Sequence, residues 1–258
     1  MNRPATRQPS LAGCRVLVTR APHQAAPLLD ALAAHGAEAE ACPVLAIESV
    51  PGEAPDLGAF DLVVITSPNG VDHLSARLGA RTWPAGLTLA VVGPGTAARA
   101  GDQGWPVTLQ PAAATGEALS AALDAAGLAP GVRVLRVRGD LAPPLIEEAL
   151  QGRGADVTAL TVYRTVPVTP PVSAVTALEA GTIDAVTFAS PSAVRFLLAG
   201  APGVDLPRRT VAACIGPVTT RAARDAGWTR ICEAAEATSA ALAQALADFM
   251  DTDPQSHA

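Results

Sequence analysis

Phe60-Asp61-Leu62-Val63-Val64-Ile65-Thr66-Ser67-Pro68-Asn69-Gly70-Val71 is the stretch whose reading decides the fold, because the chain carries it twice. The second copy is Ile183-Asp184-Ala185-Val186-Thr187-Phe188-Ala189-Ser190-Pro191-Ser192-Ala193-Val194. Asp61 and Asp184, Ser67 and Ser190, and Pro68 and Pro191 all stand 123 positions apart. Each copy is an acidic residue, a short apolar run and a Ser-Pro step. The run has the length and composition of a buried strand. The Ser-Pro step starts a helix, with serine as N-cap and proline in the first turn, where its missing N–H costs nothing. Such a start is expected to leave backbone N–H groups pointing outward, ready for an anion.

The repeat extends in both directions. Gly93-Pro94 matches Gly216-Pro217, Thr96 matches Thr219, Gly104-Trp105 matches Gly227-Trp228 and Thr115 matches Thr238, again 123 apart. Arg15-Val16-Leu17 matches Arg133-Val134-Leu135, Arg20 matches Arg138 and Gly36-Ala37 matches Gly154-Ala155, now 118 apart. Within this frame strands are predicted at 15–19, 37–42, 61–66, 87–92, 104–109, 132–137, 155–160, 184–189, 210–215 and 227–232. Helices are predicted between them, and one from Thr238 to Met250 closes the chain. That alternation reads as βαβ units on parallel sheets.

The domain division follows from two proline-bearing extended segments, 43–50 and 161–168, where the offset changes. Gly127-Leu128-Ala129-Pro130-Gly131 is a helix-to-strand loop of the length found inside a domain. The two extended segments are therefore the crossings. One lobe is expected to comprise 1–44 with 169–258, and an inserted lobe 48–163. Two lobes on two linkers would form a cleft that opens and closes.

Composition narrows the function classes. Apolar residues make up 49% of the 258 residues, with three Trp, one Tyr and four Phe, which suits α/β layers better than an aromatic-cored sandwich. A net charge of −6 argues against non-specific nucleic-acid binding. Any anionic ligand must then be met by local design. Cys14, Cys42, Cys214 and Cys232 lack metal spacing and read as buried, reduced thiols. The first eleven residues have no apolar core of a signal peptide, and no apolar run approaches the ~20 residues of a membrane span. A cytoplasmic protein without a membrane partner is expected.

His23, His35, His73 and His257 are scattered and read as helix-surface or terminal residues. No GxSxG elbow or Walker loop is present, and Gly93-Pro94-Gly95 is a weak glycine signal. What recurs is a set of six strand C-terminal ends: Thr19-Arg20, Thr66-Ser67-Pro68-Asn69, Gly93-Pro94-Gly95-Thr96, Arg138-Gly139-Asp140, Ser190-Pro191-Ser192 and Gly216-Pro217-Val218-Thr219. Ligands of open parallel sheets bind at such ends. Hydroxyls, helix starts and two arginines suit several carboxylates or phosphates. Any one of these ends is explained by helix capping; six together point to a polyanion. Tyr163, the only tyrosine, lies in a crossing segment, where it either packs the linker or donates its hydroxyl to a leaving group.

The ordered set Val-Leu-Val-Thr-Arg (16–20), Asp-Leu-Val-Val-Ile-Thr-Ser-Pro-Asn-Gly-Val (61–71), Val-Val-Gly-Pro-Gly-Thr-Ala (91–97), Val-Tyr-Arg-Thr (162–165), Phe-Ala-Ser-Pro-Ser-Ala-Val (188–194) and Ile-Gly-Pro-Val-Thr-Thr-Arg-Ala (215–222) resembles the uroporphyrinogen-III synthase family. The likeness spans about Arg15 to Phe249. It implies an α/β protein of two flavodoxin-like parallel-sheet lobes joined by a two-stranded β linker. It also implies the reaction: a linear hydroxymethylbilane, four pyrroles each bearing an acetate and a propionate, loses water, inverts its last pyrrole through a spiro intermediate and closes. No cofactor or metal is implied. The expected state is a monomer, with transient contact with the enzyme that supplies the bilane. By resemblance Tyr163 and Thr219 are the candidates for assistance, with Thr220 an alternative because Val218 stands where a hydroxyl residue is common. Thr19, Arg20, Ser67, Pro68, Asn69, Gly93, Thr96, Arg138, Gly139, Ser190, Ser192, Gly216 and Thr220 are the candidate substrate contacts. Beside the binding reading, Arg138 has one as a surface or interlobe salt-bridge residue. The competing classes are a non-catalytic tetrapyrrole or polyanion sensor and a flavodoxin-like flavin protein. Ser67-Pro68 and Ser190-Pro191 are expected to meet one ligand from different lobes.

Overall fold

The computed structural model describes residues 11–111, 116–125 and 131–253. Its strands are β1 (Arg15–Val18), β2 (Glu38–Ala41), β3 (Leu45–Ser49), β4 (Leu62–Ile65), β5 (Thr88–Val91), β6 (Arg133–Gly139), β7 (Asp156–Pro167), β8 (Ala185–Phe188), β9 (Val211–Cys214) and β10 (Ile231–Glu233). Its helices are α1 (Pro22–Ala34), α2 (Pro68–Leu78), α3 (Pro94–Asp102), α4 (Gly116–Ala125), α5 (Leu145–Gln151), α6 (Val172–Glu179), α7 (Pro191–Gly200), α8 (Leu206–Arg209), α9 (Pro217–Asp225) and α10 (Ser239–Thr252). Proline opens α1, α2, α3, α7 and α9, where its fixed φ is preorganised and its missing N–H is not needed.

The chain divides into two compact units. One holds the residues up to Ala46 together with those from Val166 on, and the other is Ile47–Thr165. The first unit has the sheet order β10-β9-β8-β1-β2, with every neighbouring pair parallel. Along β1, Val16 and Val18 face a core shared with Ala25, Leu28 and Leu32 of α1 and Leu242, Leu246 and Met250 of α10. The alternate residues Leu17, Val186, Phe188 and Ala212 are buried too, and Trp228 meets Phe188 edge-on at 5.4 Å. Helices thus cover both faces, which is why β8 and β9 are continuously apolar.

The second unit has the order β3-β7-β6-β4-β5. Val63 and Ile65 pack with Val71, Leu74 and Leu78 of α2, while Leu62 and Val64 pack with Leu123 of α4 and Leu150 of α5. β3 runs antiparallel to β7: the Val50 N–H donates to the Val162 carbonyl and the Val168 N–H to the Val44 carbonyl. β4, β5, β6 and β7 pair in parallel.

Both units follow one plan. In the first, the chain runs from β1 out to β2 on one side and from β8 through β9 to β10 on the other. In the second, β6 leads to β7 on one side and β4 to β5 on the other. The reversal points lie between β1 and β8 and between β6 and β4, where open α/β sheets take their ligands. The N-terminal ends of these strand pairs are clipped alike. The Arg133 N–H donates to Asp61 Oδ2 at 3.0 Å, and the Arg15 N–H donates to Asp184 Oδ2 at 2.8 Å.

Some element expectations change. Segment 104–109 is not a full strand; only Leu109 bridges Ala90, because Pro106 has no N–H to give and Trp105 turns into the core. The last strand starts at Ile231 rather than Gly227, because the N–H groups of Gly227 and Trp228 close α9 on Arg224 and Ala223. The four-residue α8 and a 3-10 turn at Leu57–Ala59 have no counterpart in the sequence reading. Thr115, most of the loop read at 127–131 and the polar leader lie outside the described residues.

Candidate active site

In the second unit the strand-end surface is built around Ser67, Tyr163, Arg136 and Arg138. Ser67 has extended backbone, and its Oγ accepts the Gly70 N–H at 3.0 Å as the N-cap of α2. This is the serine N-cap read from the sequence. Ser67 Oγ also hydrogen-bonds Tyr163 Oη at 3.0 Å. Tyr163 reaches Ser67 because the β6–β7 ladder slips at Arg138/Gly139, so that Gly139 pairs with Tyr163 rather than with the preceding residue. Bulges commonly re-aim a side chain in this way. A Cβ on Gly139 would lie 2.5 Å from ring atoms of Tyr163, so only glycine seats the phenol there. His73 stacks on the same ring, centroids 5.5 Å apart and planes at 28°, and its Nδ1 hydrogen-bonds Ser49 Oγ at 2.9 Å.

The arginines of β6 differ sharply. Arg138 Nη1 pairs with Glu147 Oε1 at 2.6 Å, its Nε donates to the Gly139 carbonyl, and its Nη2 donates to the Ala142 carbonyl. Both partners are largely buried and lie in this unit, so Arg138 forms a salt bridge, but not the surface or interlobe one that the sequence reading offered. Arg136, which the sequence reading passed over, is only 2% exposed. Its Nη2 donates to Thr66 Oγ1 at 2.9 Å, and its Nε makes no hydrogen bond. Burial pulls its pKa down to about 10, with Glu147 opposing and Arg138 reinforcing the shift. A threonine hydroxyl that accepts from a guanidinium turns its own proton elsewhere, so Arg136 orients Thr66 beside the Ser67 cap. Pro68 and Asn69 are the first two residues of α2. Gly93 precedes α3 with φ 82°, a conformation that favours glycine, and Thr96 is buried one turn on.

In the first unit Ser190 repeats the Ser67 cap, its Oγ accepting the Ala193 N–H at 3.3 Å. Ser192 is buried, and its Oγ accepts from Arg195. Thr19 is fully buried and donates its hydroxyl to the Thr187 carbonyl at 2.6 Å. That makes it a pin between β1 and β8 rather than a group facing the strand-end surface. Arg20 follows it; its Nη1 has one long hydrogen bond to Ser239 Oγ at 3.5 Å, and its buried Nε has none. Burial lowers its pKa. Arg20 is therefore the strand-end arginine with donors to spare. Gly216 is extended, and a Cβ there would meet nothing within 4 Å.

The residues after Gly216 sort by helix geometry. Thr219 and Thr220 are 3% and 8% exposed, while Val218 is 71% exposed. Thr220 lies against the Cys214 thiol, whose pKa burial pushes up to about 12 although the threonine draws it down. Both threonines are buried, and the surface position carries valine. Neither threonine stands at the surface of α9.

The sequence carried no local signal for Arg136 or His73. Burial of an arginine depends on what covers both sheet faces, and the ring that His73 stacks on is ninety residues away in the chain.

The family profile described as uroporphyrinogen-III synthase HemD matches residues 26–244. A uroporphyrinogen-III synthase of Chlorobaculum parvum is 30% identical over 227 residues, covering 82% of this chain and 89% of that one. Among solved structures, a mutant uroporphyrinogen III synthase of Thermus thermophilus has a TM-score of 0.64 at 24% identity, over 93% of this chain and all (100%) of that one. The Helicobacter pylori uroporphyrinogen-III synthetase has a TM-score of 0.62 at 17% identity, over 90% of this chain and 98% of that one. These structures share the fold; the profile and the Chlorobaculum sequence carry the kinship. The chain belongs to the uroporphyrinogen-III synthase family.

Proposed function

We propose that this protein is a cytoplasmic lyase that closes linear hydroxymethylbilane to uroporphyrinogen III with loss of water and inversion of the last pyrrole. Family membership supports the reaction. The observation that carries the chemistry is the Tyr163 hydroxyl, held 3.0 Å from the Ser67 cap at the N-terminus of α2. In the arrangement that serves the reaction Ser67 donates to Tyr163 Oη, which leaves the phenol proton for the departing hydroxyl. As the C–O bond of the hydroxymethyl group breaks, that proton leaves with it as water and pyrrole electrons fill the vacant position. Attack by the last ring through its already substituted α-carbon gives the spiro intermediate; the original bridge bond to that carbon then breaks, the freed bridge carbon bonds the ring's other α-carbon, and the proton shed there regenerates the phenol.

Each unit contributes carboxylate sites at its own reversal point: the Ser67 cap with Thr66 in one, the Ser190 cap with Arg20 in the other. Holding a flexible chain in a cyclisable shape supplies most of the acceleration. Neither serine is a nucleophile in this scheme, since both oxygens cap helices.

Incubation with freshly generated hydroxymethylbilane, followed by resolution of the oxidised uroporphyrin isomers, tests the reading. Isomer III above the spontaneous background is expected. Isomer I alone, at the spontaneous rate, would refute it, and tight product binding without isomer III would mark a sensor.

A further inference from the structure

We infer that His73 is a positioning residue for Tyr163, an inference that rests on the phenol acting in the reaction proposed above. The site is over-determined around one ring. The β6–β7 slip aims Tyr163, and Gly139 gives it a seat that a single methyl group would fill. Ser67 fixes the hydroxyl, and His73 fixes the ring plane. His73 lies within α2, whose first residues carry the Ser67 cap, so one rigid helix presents both the oxygen partner and the ring partner. A phenol held at one atom can still swing about that hydrogen bond; a stacked ring removes this freedom.

The imidazole is itself held. Ser49 Oγ on β3 engages Nδ1 at 2.9 Å, which sets the rotation of the imidazole against the phenol. Ser49 lies in the antiparallel β3–β7 ladder, and Tyr163 belongs to its other strand. The ladder and α2 therefore grip the phenol through His73 from two independent elements. The contribution of His73 is orientation, and misplacement of a reacting group by about 1 Å costs on the order of a hundredfold in rate.

Tyr163 is the only tyrosine in the chain, so 3-fluorotyrosine gives a single fluorine resonance that reports this ring alone. His73→Ala is expected to broaden and shift that resonance and to lower kcat by about tenfold or more, with KM within about twofold. His73→Phe, which keeps a stacking ring, is expected to recover most of the lost rate. Ser49→Ala, which frees the imidazole without removing it, is expected to move the resonance in the same direction by less, and it serves should His73→Ala not fold. In a Tyr163→Phe background His73→Ala should have no further effect on kcat. Equal losses from His73→Ala in both backgrounds, or an unmoved resonance in both His73→Ala and Ser49→Ala, would overturn the positioning role while leaving the tyrosine chemistry intact. A wild-type rate in Tyr163→Phe would instead overturn the tyrosine chemistry and the positioning role with it.

Discussion

Arg20 and Arg138 occupy equivalent places in the repeat, 118 positions apart, yet their side chains have different partners. Arg138 is engaged by Glu147, which is only 6% exposed. Arg138→Ala would strand that carboxylate, and breaking a buried pair costs about 3–5 kcal/mol. The expected result is a large drop in unfolding free energy, seen in urea melts, before any kinetic effect is read. Arg20→Ala leaves no carboxylate stranded and removes a charged donor from a strand end. A hydrogen bond to a charged group is worth about 1.5–3 kcal/mol, so KM should rise roughly tenfold or more with the urea midpoint nearly unchanged. A raised KM in Arg138→Ala at full stability would reverse these assignments. The repeat made both arginines visible, but not which one was paired. Glu147 lies in α5, and nothing at the level of one residue places it under β6. Arg136 was hidden for the same reason, since an arginine inside an apolar strand reads as an edge feature until both faces are seen covered.

At the scale of elements, the helix starts were legible because Ser-Pro and Gly-Pro steps have few other uses. Their chemistry was less so. The serine caps each take an N–H for themselves, and whether a threonine in the first turn faces out or in is set by helix phase, which put Val218 at the surface and Thr219 beneath it. The two Gly-Pro starts now separate. Gly93 has φ 82° and ψ 152°, a region essentially reserved for glycine, so Gly93→Ala should cost on the order of 1–3 kcal/mol from backbone strain alone. Gly216 is extended with open space around it, so Gly216→Ala should melt like the parent. A loss of turnover in Gly216→Ala at unchanged melting temperature would then report substrate approaching the start of α9; unchanged turnover would remove Gly216 from the binding surface. The strand starts make a pH prediction. Hydrogen bonds from the Arg133 side chain, and then its backbone N–H, hold the Asp61 carboxyl down at about 2 against an ordinary value of 3.8. A carboxylate whose folded pKa is lowered adds stability above its ordinary pKa and loses it as pH falls toward the lowered one. The stability gap between the parent and Asp61→Asn should be constant above about pH 4 and close between about pH 4 and pH 2. A gap that persists below pH 2 would assign the effect to lost geometry rather than to charge. Asp184 lacks the guanidinium contact, because the Arg15 side chain goes to Thr182.

The whole chain was readable because its repeat is offset by two values, and the change between them falls where the backbone passes from one unit to the other. Parallel sheets sharpen such a repeat, since strands buried on both faces must stay apolar throughout and drift little in composition. What the offsets could not show is that the second unit is a permuted copy. Its β4 and β5 precede β6 and β7 in the chain, whereas their counterparts in the first unit follow β1 and β2. The permutation has a consequence for folding. The first unit is assembled from two distant segments, but Ile47–Thr165 is continuous and carries helix–sheet cores on both faces of its own sheet. At 119 residues it is within the range of domains that fold alone. Expressed by itself, it should show helical far-UV dichroism and a single cooperative thermal transition, with the Tyr163 fluorine resonance as sharp as in the parent, since Ser49, Ser67, His73 and Gly139 all travel with it. It should make no isomer III, because Arg20 and the Ser190 cap are missing. A fragment that is unfolded in isolation would show that this unit draws its stability from the rest of the chain. A folded fragment with a broadened resonance would show that the seat of Tyr163 is completed outside it.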